Sequence, residues 1–185
     1  MSATPDEDAT VVEEGHQNSP SAAPLTVSRE FKIVTEGIED FAYTNFEVGA
    51  SLGAGAAGTV VQAKASFGDV AIKVFPAFQS AGDVEIFVRE VRNVARIQHP
   101  NAVNIFGITL DGPRGPGIVL ELLDGPFDPL RHRHPRKALS IVRSVAEAIT
   151  FIHQNGLLHL DVRRGSLCAA RVGAFFSPLT VVVVL

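Results

Sequence analysis

Leu52–Val74 reads LGAGAAGTVVQAKASFGDVAIKV. Three glycines open it, Gly53, Gly55 and Gly58, and Val70-Ala71-Ile72-Lys73 closes it. Two runs rich in Val and Ala lie between, separated by Ser66-Phe67-Gly68-Asp69. Glycine lets a backbone turn tightly and approach a ligand closely, because no Cβ intervenes. A lysine beside such a turn is a point charge suited to phosphate oxygens. The stretch therefore predicts two strands, a glycine turn and a cation held near it.

Outward from this stretch, composition sets bounds. The chain has 185 residues, 46% of them apolar, enough for one domain with a sizeable core. Its net charge is −4, unevenly spread. Residues 1–24 carry Asp6, Glu7, Asp8, Glu13 and Glu14 with no Lys or Arg, which leaves the remainder near neutral. No domain is basic enough for nucleic acid to be expected as a partner. The single Cys168 excludes an internal disulfide framework and fits a reducing compartment, so a cytoplasmic setting is expected. Neither a signal peptide nor a membrane span is expected, because no apolar run reaches the length needed.

Residues 1–45 read mostly as a disordered tail, acidic and rich in Ser, Pro and Ala in its first part. A short strand at Phe31–Val34 is one possibility within it. From Phe46 the texture changes. Phe46–Leu52 reads as a strand into the glycine turn, Thr59–Ala65 as the strand leaving it and Asp69–Phe75 as a third. Asp83–Gln98 is predicted helical, with Val84, Phe87, Val88, Val91, Val94 and Ala95 on one stripe and Pro100 as its stop. Asn101–Thr109 and Gly117–Leu122 read as strands across a Gly/Pro turn. Lys137–Gln154 is predicted as a second helix, with Leu139, Val142, Ala146, Ile149 and Ile152 facing inward and Gly156 beyond its end.

The glycine loop has three candidate owners. A dinucleotide-binding loop needs a helix straight after the glycines, whereas Thr59-Val60-Val61 favours strand. A P-loop needs Gly-Lys-Ser/Thr after the second framing glycine, and Thr59-Val60 stands there instead. The third pattern, GxGxxGxV with Val-Ala-Ile-Lys on a later strand, is met at every fixed position by Gly53–Val60 and Val70–Lys73.

On these residues the chain resembles a protein kinase, from about Phe46 to about Gly165. The His99–Ile108 stretch, HPNAVNIFGI, is most similar to Raf-like and other tyrosine-kinase-like enzymes. The resemblance implies an α+β fold: an N-lobe and hinge over 46–123, with a five-stranded antiparallel sheet and one helix, and the start of a helical C-lobe over 124–165. Residues 166–185 stand outside it as a tail. It implies that Glu90, with Glu85 as the fallback, pairs with Lys73. It implies that Leu120 is the gatekeeper, that the backbone of Glu121 and Leu123 binds the adenine edge, and that Leu52, Val60 and Ala71 sandwich the ring. His159-Leu160-Asp161-Val162-Arg163 resembles the catalytic loop, with Asp161 taking or orienting the proton of the attacking hydroxyl and Arg163 in place of the usual lysine. The implied cofactor is ATP and the implied partners are a protein substrate, with a Ser/Thr rather than a Tyr hydroxyl, or a partner kinase.

The pattern also departs from the family. Mg²⁺ is expected for such enzymes, yet the Asn that the family places five residues after the catalytic Asp is Ser166 here. No Asp, Glu or Asn follows Asp161, and Mg²⁺ wants oxygen ligands, usually carboxylate. No metal-ligating residue is therefore assigned. Two readings stand: a protein kinase domain that transfers the γ-phosphate of ATP, seen here as a fragment without Asp-Phe-Gly, and a catalytically silent module that binds nucleotide or a partner.

Overall fold

The computed structural model describes residues 37–55, 58–126, 135–159, 162, 167–170 and 180–183. Among them the strands are β1 (Glu39–Asp40), β2 (Glu47–Gly55), β3 (Gly58–Ala65), β4 (Gly68–Val74), β5 (Ile105–Thr109), β6 (Gly117–Glu121), β7 (Gly125–Pro126), β8 (Leu167–Ala170) and β9 (Thr180–Val183). The helices are α1 (Ala81–Ala95) and α2 (Pro135–Gln154).

The main sheet runs β1-β5-β6-β4-β3-β2. Its last five strands are antiparallel, as expected. The sixth, β1, was not expected and pairs parallel to β5 through Glu39–Gly107 and Asp40–Ile108. Gly107 explains the close approach. A Cβ there would lie 2.3 Å from the Glu39 carbonyl oxygen and 2.5 Å from the Phe41 ring. The stretch read as tail thus contributes an edge strand and a 3-10 turn at Tyr43–Asn45. Phe31–Val34 lies outside the described residues.

Strand alternation divides the sheet between two cores. Val70, Ile72 and Val74 of β4 join Phe46, Val61, Ala63, Ala65 and Val119 on one face. Ala71, Ile118 and Leu120 join Phe87, Val91 and Val94 of α1 on the other. The predicted stripe of α1 is therefore its buried face. Its start differs by two residues from the expected Asp83, because Ser80 caps it. The Ser80 hydroxyl accepts from the Asp83 N–H and the Asp83 carboxylate accepts from the Ser80 N–H. Its end also comes early, at Ala95. Ile97 turns away to be buried with Ala102, Ala148 and Ile152, which anchors the loop after α1 on α2. That loop, with Ala102 N–H donating to the His99 carbonyl, delays β5 to Ile105.

The face that α2 buries needs correction. Ile141, Ala148 and Ile152 are buried, with Val145 and Ile149 partly so. Leu139 and Val142, expected inward, are 71% and 64% exposed, and Ala146 is exposed with them. The helix carries apolar residues on two opposite sides, and spacing alone does not choose between them. Beyond α2, strands β7, β8 and β9 form a second, three-stranded sheet, with β9 lying against α2.

Candidate functional site: the sheet face beneath the glycine loop

β2 and β3 bring the glycines together: Gly53 lies opposite Val60, and Gly55 opposite Gly58. Gly58 is fixed by the fold. Its φ is +135°, and a Cβ would fall 2.3 Å from the Val74 carbonyl oxygen. Gly53 and Gly55 are different. A Cβ built at either meets nothing within 4 Å. Among the described residues nothing packs over those two positions, so the described fold does not require glycine there.

Beneath the loop, register sets the lysine. Val60 faces Lys73, which faces Ile118 on its other side, while Ala71 faces Leu120. Cross-strand partners share a face, so Val60, Ala71, Lys73 and Leu120 all project toward α1. Lys73 Nζ meets Glu90 Oε1 at 2.5 Å, 17 residues away along the chain. The side chains are 18% and 27% exposed, so the pair is shielded but reachable. The ammonium also stands 5.4 Å from the Phe75 ring centroid, an added attraction between a cation and an aromatic face. An ammonium has three N–H donors and Glu90 takes one, leaving capacity for anionic oxygens. Glu85 is exposed on α1 and is not the partner.

An apolar surface adjoins the lysine. Ala71 and Leu120 are buried in the cluster under α1, and Val60, Leu122 and Leu123 pack partly buried against it. Leu52 is 51% exposed and lies outside that cluster. Glu121 ends β6 in a fixed position. Its N–H donates to the Asn104 carbonyl at 2.9 Å, and its carboxylate accepts from Asn104 Nδ2 at 2.8 Å. Asn104 and Phe75 are contributions the sequence reading missed. Phe75 follows Lys73 by two residues, a signal available in the alternation. Asn104 had none, because its role depends on the loop after α1.

His159 is among the described residues, half-buried beyond the end of α2; Asp161, Arg163 and Ser166 lie outside them. The described residues contain no group of three or more His, Cys, Asp or Glu placed to hold a metal ion. No described helix is long and apolar enough to cross a membrane.

Comparison with known proteins agrees with this geometry. The protein kinase domain profile matches residues 46–167. Over 118 residues the chain is 33% identical to the serine/threonine-protein kinase PknB of Mycobacterium leprae, covering 57% of this chain and 19% of that protein. Over 156 residues it is 30% identical to human calcium/calmodulin-dependent protein kinase type IV, covering 81% and 33%. Over 148 residues it is 29% identical to the G-type lectin S-receptor-like serine/threonine-protein kinase SD1-1 of Arabidopsis thaliana, covering 74% and 17%. The chain spans a third or less of the length of these relatives. The profile match spans well over half of the chain, over the same strands that set Lys73 against Glu90, and the chain belongs to the protein kinase domain family, with relatives of the serine/threonine type.

Proposed function

We propose that residues 46–167 form an ATP site and serve, as in a serine/threonine kinase, to place the γ-phosphate before a protein hydroxyl. The observation that carries this is the Lys73–Glu90 pair at 2.5 Å on the sheet face under the glycine turn. The residues present fit a nucleotide. Gly53 and Gly55 leave the open space a phosphate chain needs. Val60, Ala71, Leu120 and Leu123 supply an apolar slot for a base, with Leu52 at its rim. The backbone of Glu121 and Leu123 lies at the edge where a base would be read. The bound nucleotide supplies the phosphoryl group; the chain supplies position and charge.

In that reading Lys73 holds phosphate oxygens and Glu90 aims it, so that little ordering is left to do when nucleotide binds. Gly58 fixes the turn that brings the loop backbone over the phosphates. Asp161 receives or orients the proton of the attacking hydroxyl, and Arg163 neutralises charge beside it. The partner is a protein substrate or a second kinase, in a cytoplasmic setting that the single cysteine favours.

The residues present do not fit the Mg²⁺ of the family. Ser166 replaces the Asn ligand, and residues 162–185 contain no Asp, Glu or Asn. This donor set favours a second reading in which the 185-residue polypeptide binds nucleotide and transfers little phosphate, acting as a binding module. Two measurements test the pair of readings. Thermal-shift titration with ATP is expected to stabilise the protein and to fail for Lys73→Ala; equal shifts for both would refute the nucleotide site. A radiolabelled ATP assay on a generic protein substrate is expected to give little turnover, and turnover abolished by Asp161→Ala would overturn the silent reading.

A further inference from the structure

We infer that Phe75 is a positioning residue for Lys73: its ring gives the ammonium a second hold that uses none of the N–H groups a phosphate needs. That use presupposes the nucleotide site proposed above, whereas the hold itself is a contact of the nucleotide-free protein. Phe75 lies one residue beyond β4 and still keeps the strand's alternation, buried with Ala71 in the cluster under α1. The turn between β5 and β6 keeps it there. The Phe75 N–H donates to the Pro116 carbonyl at 2.8 Å. Gly115, with φ +128°, sits so close that a Cβ would fall 2.4 Å from the Phe75 carbonyl oxygen. The ring meets Phe87 of α1 edge to face, with centroids 5.2 Å apart and planes at 86°, and Phe87 meets Phe78 in the same manner at 5.7 Å. Backbone contacts on the turn and ring contacts on the helix together fix the ring.

Phe87 and Glu90 stand three residues apart on α1, about one turn along the helix. They meet Phe75 and Lys73, two residues apart on one side of the sheet. One apolar and one polar contact therefore set the same register of helix on sheet. The two differ in what they leave the lysine. Glu90 occupies an N–H donor and offsets the charge. An aromatic face attracts a cation through its quadrupole, occupies no donor and adds no net charge. Phosphate oxygens compete with Glu90 for the same donors and the same charge. They do not compete with the ring in that way, so the ammonium, 5.4 Å from the centroid, keeps this hold while it turns to a nucleotide.

The deciding variant keeps the shape of the ring and changes its charge distribution. A ring-trifluorinated phenylalanine at position 75 drains electron density from the face and weakens its attraction for a cation. In nucleotide-free protein, limited acetylation read by mass spectrometry should label Lys73 about threefold faster than in the unmodified protein. Labelling of Lys64, exposed on β3, should not change. Calorimetry should show ATP binding weakened about threefold and the binding of adenosine, which has no phosphate, unchanged. Phe75→Met, apolar but without an aromatic face, should give the same changes in labelling and in ATP binding. Unchanged Lys73 labelling in the trifluorinated protein would overturn the proposal and leave Phe75 a packing residue alone. Equal weakening of ATP and adenosine would overturn it too, since that is a general loosening of the site. Faster labelling of Lys73 with no ATP binding by any form, the unmodified protein included, would sustain the hold on the lysine and refute the nucleotide reading instead.

Discussion

What a methyl group would meet separates the three loop glycines. At Gly58 it would meet backbone 2.3 Å away, in a conformation L residues rarely adopt. Gly58→Ala is expected to destabilise the protein by about 1–3 kcal/mol, read by urea melts, with or without nucleotide. At Gly53 and Gly55 it would meet nothing within 4 Å. Gly55→Val should leave the urea midpoint nearly unchanged while reducing the ATP-induced thermal shift. An equal loss of stability in free protein would show that the fold, and not a ligand, needs that glycine. The Lys73–Glu90 pair makes the matching case for charge. Glu90→Gln keeps the size and removes the carboxylate, so Lys73 loses its aim but stays on β4. ATP affinity should fall about tenfold, measured by calorimetry, with a smaller effect on stability because the pair is partly exposed.

At the scale of elements, the start of α1 shows what a few polar atoms do. The Asp83 carboxylate accepts from the N–H groups of Gln79 and Ser80 and from the Ser80 hydroxyl. These bonds hold its pKa below the ordinary carboxylate value, the Gln79 N–H contributing most. Ser80→Ala should cost about 1 kcal/mol of stability and fray the first turn that leads to Glu90. This cap is present in the sequence as Ser80-x-x-Asp83, a shorter signal than the apolar stripe that follows it. The stripe itself was legible because a helix with one apolar face has one solution: Phe87, Val91 and Val94 inward. α2 has apolar residues on both sides, so periodicity identified a helix and placed Ile149 and Ile152 correctly inward but Leu139, Val142 and Ala146 wrongly. β1 was illegible for a different reason. Two residues have no period, and Glu39-Asp40 carries carboxylates on an edge strand that pairs with β5 through its backbone. The glycine loop, Lys73 and Glu90 were readable across three elements because a period of 2 and a period of 3.6 bring them to one face. The surroundings of Glu121 were not, since Asn104 reaches it only through the fold of the loop after α1.

Across the whole molecule, one carboxylate ties distant parts together in a way that depends on pH. Asp111 accepts from the Tyr43 N–H and from the Thr109 hydroxyl, and these bonds lower its pKa as the capping bonds lower that of Asp83. A group whose folded pKa is depressed contributes stability that is full above its unfolded value, about 3.9, and is lost as pH falls through the folded value. Urea midpoints should therefore fall as pH drops below about 4, and the fall should be shallower in Asp111→Asn; an unchanged slope would mean that Asp111 takes no part. The link between the helices has a mechanical side. Arg96, the C-cap of α1, donates from Nη2 to the Asn155 carbonyl at 2.5 Å, just beyond the end of α2. One end of α1 is thus pinned to the second helix, and Ile97 is buried beside it. Glu90 sits six residues before that pin, about 9 Å along the axis at about 1.5 Å per residue. Tilting α1 about the pin by about 20° would carry Glu90 about 3 Å, more than the length of its bond to Lys73. The helix is a lever whose fulcrum lies at Arg96, and Glu90 rides on its arm.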